Sequence, residues 1–196
     1  MAMTERDVTT GIARLSYEHI FQPYARTAND TPKYSTTILV PKSDATTKAR
    51  IDAAIEAAKR AGATKSFGGV IPPVLAIPVH DGDGVRPSDG MPFGQECKGH
   101  WVFTASAKNR PDVIDMNRQP ILNESEIYSG VYAYVNVSFF PYNSNGRKGI
   151  GCGLNAVMKA RDGEPLGSKI SVEDAFANIP MGAAPAIDPI TGAPLA

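Results

Sequence analysis

The strongest constraint on the fold of this chain is an alternating run of residues between positions 130 and 139. Apolar side chains occupy its odd positions, and tyrosine, asparagine or serine occupies the even positions from 132 to 138. Because successive side chains of a β-strand point to opposite faces, the run predicts a strand with a core face and an outer face. The core face carries Val131, Ala133, Val135, Val137 and Phe139, and the outer face carries Tyr132, Tyr134, Asn136 and Ser138.

The outer face of this strand has the composition of a surface that holds a single nucleic-acid strand. Tyr132 and Tyr134 bring two rings to it, and the turn that follows contains Arg147 and Lys148. Bases stack on aromatic rings, and arginine and lysine contact the phosphates. We therefore predict that Tyr132 and Tyr134 form a stacking platform with a cationic edge.

Other candidate contacts lie in or beside further predicted strands. Trp101 lies near the start of one such strand and admits two interpretations, a third stacking ring or a core residue. The basic residues that we predict to contact phosphates are Arg14, Lys33, Lys108, Arg110, Arg147, Lys148 and Lys159.

Glycines in the next strand indicate that something approaches its backbone closely. Gly151 and Gly153 fall on the outer side of a predicted strand over residues 150–159. Glycine in a strand interior marks a close approach or a tight bend. One interpretation is a shallow groove walled by Tyr132 and Tyr134, and the other is the corner of a barrel.

Five strands and one helix account for most of the chain. The strands are predicted at residues 11–21, 33–40, 100–107, 131–140 and 150–159, and Tyr17 is assigned to the same side of the first strand as Leu15. A helix follows the second strand, with Ser43 or Asp44 as its N-cap and Gly62 as its C-terminal residue. Residues 62–99 are predicted to form a long connection with a short edge strand. This pattern is typical of a small closed or partly open β-barrel.

The composition and the charge distribution limit the number of domains and the kinds of partner that the chain can have. A chain of 196 residues with 42% apolar residues can bury one core. The first 170 residues carry a net charge of +3 and the remainder −3, which suits a basic binding body with an acidic end. No apolar run approaches the roughly 20 residues of a membrane helix, so no membrane association is expected.

Nothing in the sequence indicates catalysis. Two cysteines are too few for a disulfide scaffold or a cysteine zinc site. Asp81 and Asp83 lie in a glycine-rich loop that resembles a metal loop, but such Asp-Gly pairs are ordinary turn formers. We predict no catalytic set, no metal site and no cofactor.

Short motifs in a fixed order resemble the OB-fold single-stranded DNA-binding proteins of tailed bacteriophages. They are residues 14–21 (RLSYEHIF), 33–44, 81–83 (DGD), 127–130 (IYSG), 145–150 and 161–167 (RDGEPLG), and the resemblance spans about residues 11–178. Two features depart from the wider group of single-stranded DNA-binding proteins. The helix precedes the third strand, and the C-terminus lacks a dense acidic run that ends in phenylalanine.

The resemblance implies a mainly β (α+β) fold, a five-stranded OB-fold-like barrel with one inserted helix. Ser171, with Asp174 three residues later, separately predicts a short C-terminal helix capped by Ser171. It implies one DNA-binding domain over residues 1–178, and we expect a disordered tail over residues 179–196. The implied protein is not an enzyme. It coats single-stranded DNA in phage replication or recombination, in the cytoplasm of the infected host, with phage replication or recombination proteins as further partners.

Two alternatives remain open at this point. A structural or assembly protein of a phage particle would have a similar β-rich fold without affinity for nucleic acid. A metal-dependent nuclease using Asp81 and Asp83 would degrade the strand only when a divalent metal is present.

Overall fold

Eight strands and one long helix build the part of the chain that the computed structural model describes, residues 3–144 and 146–167. In chain order the elements are β1 (Asp7–Thr9), β2 (Ala13–Tyr24), β3 (Lys33–Pro41), α1 (Ala45–Lys65), β4 (His80–Asp81), β5 (His100–Ala107), β6 (Asp112–Ile114), β7 (Tyr132–Ser144) and β8 (Arg147–Arg161). The helix predicted after Ser171 and the tail over residues 179–196 lie outside the described residues.

The five longest strands close into a ring. β2 pairs antiparallel with β3, β3 with β5, β7 with β8 and β7 with β2. The parallel pair Ser106–Gly153 joins β5 to β8 and completes the circle. Three short strands extend it, since β1 pairs with β7, β4 with β5 and β6 with β8. The predicted five-stranded, OB-fold-like architecture is confirmed, with α1 between its second and third strands.

The core fills the ring and reaches the helix. The five apolar side chains that were assigned to the core face, four in β7 and Val131 directly before it, are all buried, at 1% exposure or less. Phe139 packs against Phe103 of β5, with ring centroids 6.3 Å apart. The helix adds a buried stripe of Ile51, Ala54, Ile55 and Ala58 to the same cluster.

Helix α1 begins as predicted and ends later than predicted. Asp44 is its N-cap, and its Oδ1 accepts a 2.9 Å hydrogen bond from the backbone N–H of Thr47. Gly62 is not the C-terminal residue, because the helix continues to Lys65. Gly62 is instead buried, and a Cβ there would lie 2.7 Å from both Cζ of Phe67 and Cβ of Pro141. The glycine therefore permits close packing of α1 against β7.

The assignment of Tyr17 to the same side of β2 as Leu15 is wrong. The pairing of β2 with β3 shifts register between Ser16 and His19, and Tyr17 has a φ of 46°. A bulge of this kind turns the following side chain away from its regular face. The Tyr17 side chain is 70% exposed, whereas Leu15 is buried as expected.

The long connection between α1 and β5 contains the short edge strand β4, which pairs with Val102 and Trp101 of β5. Two carboxylates of this connection are tied to the end of β3. Nζ of Lys42 lies 2.5 Å from Oδ1 of Asp81 and 2.6 Å from Oδ2 of Asp83. The hydrogen bonds from Lys42 hold the pKa of both carboxyl groups below the usual range.

Neither cysteine forms a disulfide, and both thiols are buried. Burial raises the pKa of Cys97 to about 11 and raises that of Cys152 as well. Among the described residues no helix combines the length and the apolar character needed to cross a membrane.

Candidate nucleic-acid interface

Four aromatic residues line the outer face of β7. We call Tyr132, Tyr134, Phe140 and Tyr142 the ring row; they share one face because their positions in a single strand differ by even numbers. Phe140 is 43% exposed, and the three tyrosines are partly exposed. Sequence reasoning identified Tyr132 and Tyr134 but missed Phe140 and Tyr142. Continuing the same alternation through the end of the strand would have found both.

Glycines of β8 lie opposite two members of the ring row. In the antiparallel register Phe140 pairs with Gly151 and Tyr142 with Gly149. A Cβ at Gly151 would lie 2.6 Å from Cζ of Phe140, and one at Gly149 would lie 2.5 Å from the Tyr142 hydroxyl. The rings therefore rest on the glycine backbone. The close approach that the glycines permit is made by Phe140 and Tyr142 themselves, and not by Tyr132 or Tyr134.

A hydrogen-bonded polar strip separates the two halves of the ring row. Nδ2 of Asn155 donates to Oδ1 of Asn136 at 2.8 Å and to Oγ of Ser138 at 2.7 Å. Ser138 in turn donates to Oδ1 of Asp7 at 2.5 Å. These contacts orient the amides and the hydroxyl that lie on the outer face between Tyr134 and Phe140.

Tyr132 lies where β7 begins, and two guanidinium groups approach its ring. Cζ of Arg161 is 3.7 Å from the ring centroid, and Cζ of Arg14 is 5.7 Å from it. Arg14 also donates through Nη2 to the carbonyl oxygen of Glu164, at 2.6 Å. Cations over a tyrosine ring are attracted by its quadrupole. Tyr132 therefore helps to hold the segment after β8, and Arg161, which sequence reasoning missed, adds positive charge to this end.

The predicted phosphate contacts divide into two groups. One group is engaged within the protein. Nζ of Lys159 lies 2.9 Å from Oδ1 of Asp162 and 3.9 Å from Oε2 of Glu126, and Nζ of Lys148 donates to the Phe67 carbonyl oxygen at 2.9 Å. The hydrogen bond from Lys159 lowers the pKa of Asp162. The ammonium groups of Lys148 and Lys159 are therefore bound to oxygen atoms of the protein itself, which makes them less available to a phosphate.

The second group is exposed. Arg147 begins β8 opposite Ser144, close in sequence to Tyr142, so it lies at the other end of the ring row from Arg14. The other exposed members are Lys33 at the start of β3, and Lys108 and Arg110 in the turn after β5. The guanidinium of Arg110 lies 4.5 Å from the Phe21 ring centroid.

Trp101 lies apart from the ring row. It packs against the core, and the space beside it is lined by Ile55 of α1 and by Val79. Nζ of Lys48 is 4.4 Å and Nζ of Lys42 is 5.2 Å from its ring centroid. This geometry favours the core interpretation of Trp101 over the stacking interpretation.

Comparison with known proteins identifies the family of this chain and structures that are similar to it. The family described as "Enterobacter phage Enc34, ssDNA-binding protein" matches residues 6–184. The single-stranded DNA-binding protein from bacteriophage Enc34, solved in complex with ssDNA, is 30% identical with a TM-score of 0.71, and the match covers 84% of this chain and 91% of that one.

Two further relatives extend the comparison. "Putative protein p50" of Acyrthosiphon pisum secondary endosymbiont phage 1 is 30% identical over 169 residues, 82% of this chain and 88% of that protein. The single-stranded DNA-binding protein gp2.5 of bacteriophage T7 shares the fold, with a TM-score of 0.58 at 16% identity, over 92% of this chain and 98% of that one. From the family match over residues 6–184, we conclude that this chain belongs to the family of the phage Enc34 ssDNA-binding protein.

Proposed function

We propose that this protein binds single-stranded DNA without marked sequence preference and coats the strand during phage replication or recombination. The observation that carries the proposal is the likeness to the phage Enc34 protein, whose structure was solved in complex with ssDNA and matches 84% of this chain. The ring row and the exposed basic residues supply the two kinds of contact that such binding needs.

The ring row accounts for the absence of sequence preference in this proposal. Every base has a π-face, so stacking tolerates any sequence. Side chains two residues apart on a strand are separated by about 7 Å, which leaves room for a base on each of Phe140 and Tyr142. Arg161 at one end of the row and Arg147 at the other are exposed and meet the phosphates.

We also propose that the protein acts as a coat and not as a catalyst, in the cytoplasm of the infected host, together with phage replication or recombination proteins. The carboxylates of Asp81 and Asp83, which a nuclease would use, contact Lys42 instead. Within residues 3–144 and 146–167, no three His, Cys, Asp or Glu side chains cluster as they would around a metal ion.

Titration of a fluorescent oligodeoxythymidine, with and without a metal chelator, tests the proposal. We expect saturable binding, an intact oligonucleotide and no effect of the chelator. A regular oligomer without affinity for the oligonucleotide would indicate an assembly protein. Degradation that the chelator stops would indicate a nuclease.

Tyr134 provides a test of the ring row itself. Replacing Tyr134 with alanine should weaken binding of the oligonucleotide by about 1–3 kcal/mol, because one stacked base loses its platform. Fluorescence anisotropy gives the two affinities, and circular dichroism shows whether the fold is retained. Tyr24→Ala is the control, since Tyr24 is exposed on β2 and outside the row. Equal affinities for Tyr134→Ala and the unmodified protein would contradict the assignment.

A further inference from the structure

The exposed amide of Asn155 lies at the centre of the outer face of β7 and β8. It belongs to the polar strip, which also contains Asn136 and Ser138 of β7. Nδ2 of Asn155 donates to Oδ1 of Asn136 at 2.8 Å and to Oγ of Ser138 at 2.7 Å. An amide nitrogen carries two protons, so both are engaged in these contacts. Oδ1 of Asn155 is the part of the amide that remains for a ligand.

The direction of these hydrogen bonds follows from the charge of Asp7. Its carboxylate accepts from Oγ of Ser138 at 2.5 Å and from the backbone N–H of Thr4 at 2.6 Å. Burial raises the pKa of Asp7, but these hydrogen bonds outweigh burial and hold the pKa below its ordinary value. The carboxylate is therefore ionised near pH 7 and can only accept. Because Ser138 gives its single proton to Asp7, its oxygen must accept from Asn155, which fixes the nitrogen of that amide toward β7.

A β-bulge brings Asn155 to this position. In the register of β7 against β8, Asn136 pairs with Ala156 and Val137 pairs with Leu154, so Asn155 is the extra residue between the two pairs. Bulges re-aim side chains and are over-represented next to active sites. The preceding Leu154 is buried, whereas Asn155 is exposed. The bulge thus adds one outward amide to the surface that carries the ring row.

A single strand that stacks on both halves of the ring row has to cross Asn155. Tyr134 and Phe140 are six residues apart along β7, which corresponds to about 20 Å at the rise of a β-strand. The polar strip occupies this interval. A base that lies between the two rings therefore meets the polar strip and not a third ring.

An oxygen that can only accept matches a base that carries an amino group. Cytosine and adenine present the donating N4 and N6 amino groups, whereas thymine presents the accepting O4 carbonyl at the corresponding place. Two acceptor oxygens that face each other repel. A phosphate is also disfavoured here, because Asp7 adds a negative charge to the same network.

We infer that Asn155 is a specificity-determining residue, which favours a base with an exocyclic amino group at the centre of the ring row. Oδ1 of Asn155 accepts a hydrogen bond from N4 of cytosine or N6 of adenine, and it disfavours thymine. This inference rests on the proposed function and adds a modest base preference to it. One neutral hydrogen bond changes an affinity by about 2- to 12-fold, on top of the stacking and phosphate contacts that any sequence makes.

Two matched oligomers and two variants test the inference. The oligomers are oligodeoxythymidine and oligo-5-methyldeoxycytidine of equal length; their bases share the C5 methyl group and differ in the oxygen or amino group on C4 and in the N3 proton. Asn155→Leu replaces the amide with an apolar group of similar shape, and Asn117→Leu is the control, in the exposed turn after β6. The unmodified protein and Asn117→Leu should bind the cytidine oligomer about 2- to 12-fold more tightly than the thymidine oligomer. Asn155→Leu should bind both oligomers equally.

The ratio of the two affinities separates base selection from a structural role. If Asn155→Leu weakens binding of both oligomers alike and leaves the ratio unchanged, the inference is overturned. Equal affinities of the unmodified protein for the two oligomers would overturn it as well. If Asn155→Leu does not fold, an oligomer of N4,N4-dimethyldeoxycytidine, which has no amino proton, repeats the test. It should bind the unmodified protein no more tightly than oligodeoxythymidine does, and tighter binding would contradict the inference. Failure of the unmodified protein to bind any of these oligomers would instead overturn the proposed function.

Discussion

Replacement of Phe139 with alanine is expected to lower the free energy of unfolding by about 3–5 kcal/mol. The Phe139 side chain is 1% exposed and packs against Phe103 in the centre of the ring of strands. Its removal leaves a cavity that the neighbouring strands cannot close. Natural domains have only about 5–15 kcal/mol of stability, so the loss is a large fraction of the total. Urea denaturation measures it.

The adjacent residue is the matched control. Phe140 is 43% exposed on the outer face, so Phe140→Ala should change the free energy of unfolding by less than about 1 kcal/mol. The same substitution should weaken binding of single-stranded DNA by about 1–3 kcal/mol, because a ring of the row is lost. Equal destabilisation by the two substitutions would show that β7 does not separate a core face from a binding face.

The affinity for single-stranded DNA is expected to fall steeply as salt rises. Phosphate neutralisation releases counterions, with a slope of about −0.7 in log affinity against log salt for each phosphate on a single strand. If four exposed cations each meet one phosphate, the slope is about −3, and a fourfold rise in salt weakens binding about 50-fold. Titrations at 50 and 200 mM salt measure this slope.

Charge reversal identifies which cations contribute. Arg147→Glu removes one predicted phosphate contact beside the ring row, so the slope should become shallower by about 0.7 and the affinity should fall for every sequence tested. Arg60→Glu makes the same change in net charge on α1, at a side chain that is 65% exposed, and should leave the slope unchanged. A slope near zero for the unmodified protein would refute the phosphate contacts.

The five long strands and the core face of β7 could be predicted from sequence because they depend on a local pattern, whereas the three-residue strands β1 and β6 are too short to show one. Alternation in one strand determines which side chains are buried, whatever the partner strand is. The same reasoning identified β5 with its ends at His100 and Ala107. It narrowed the cap of α1 to Ser43 or Asp44, of which the structure uses Asp44.

Features that depend on pairing between strands could not be predicted in this way. The fit of Phe140 on Gly151 requires the register of β7 against β8, which alternation within either strand does not contain. Tyr17 leaves its expected face because the pairing of β2 with β3 shifts register. The sequence of β2 alone does not reveal such a shift. Arg161 reaches Tyr132 for the same reason, since the two residues pair across the hairpin.

Photochemical crosslinking tests the central claim, that a single strand lies along the outer face of β7, most directly. An oligodeoxythymidine that carries 5-iodouracil is bound to the unmodified protein and irradiated, and the attached peptides are identified by mass spectrometry. The ring row predicts attachment at Tyr134, Phe140 or Tyr142. Attachment confined to Trp101 and the residues of α1 would contradict the proposed interface.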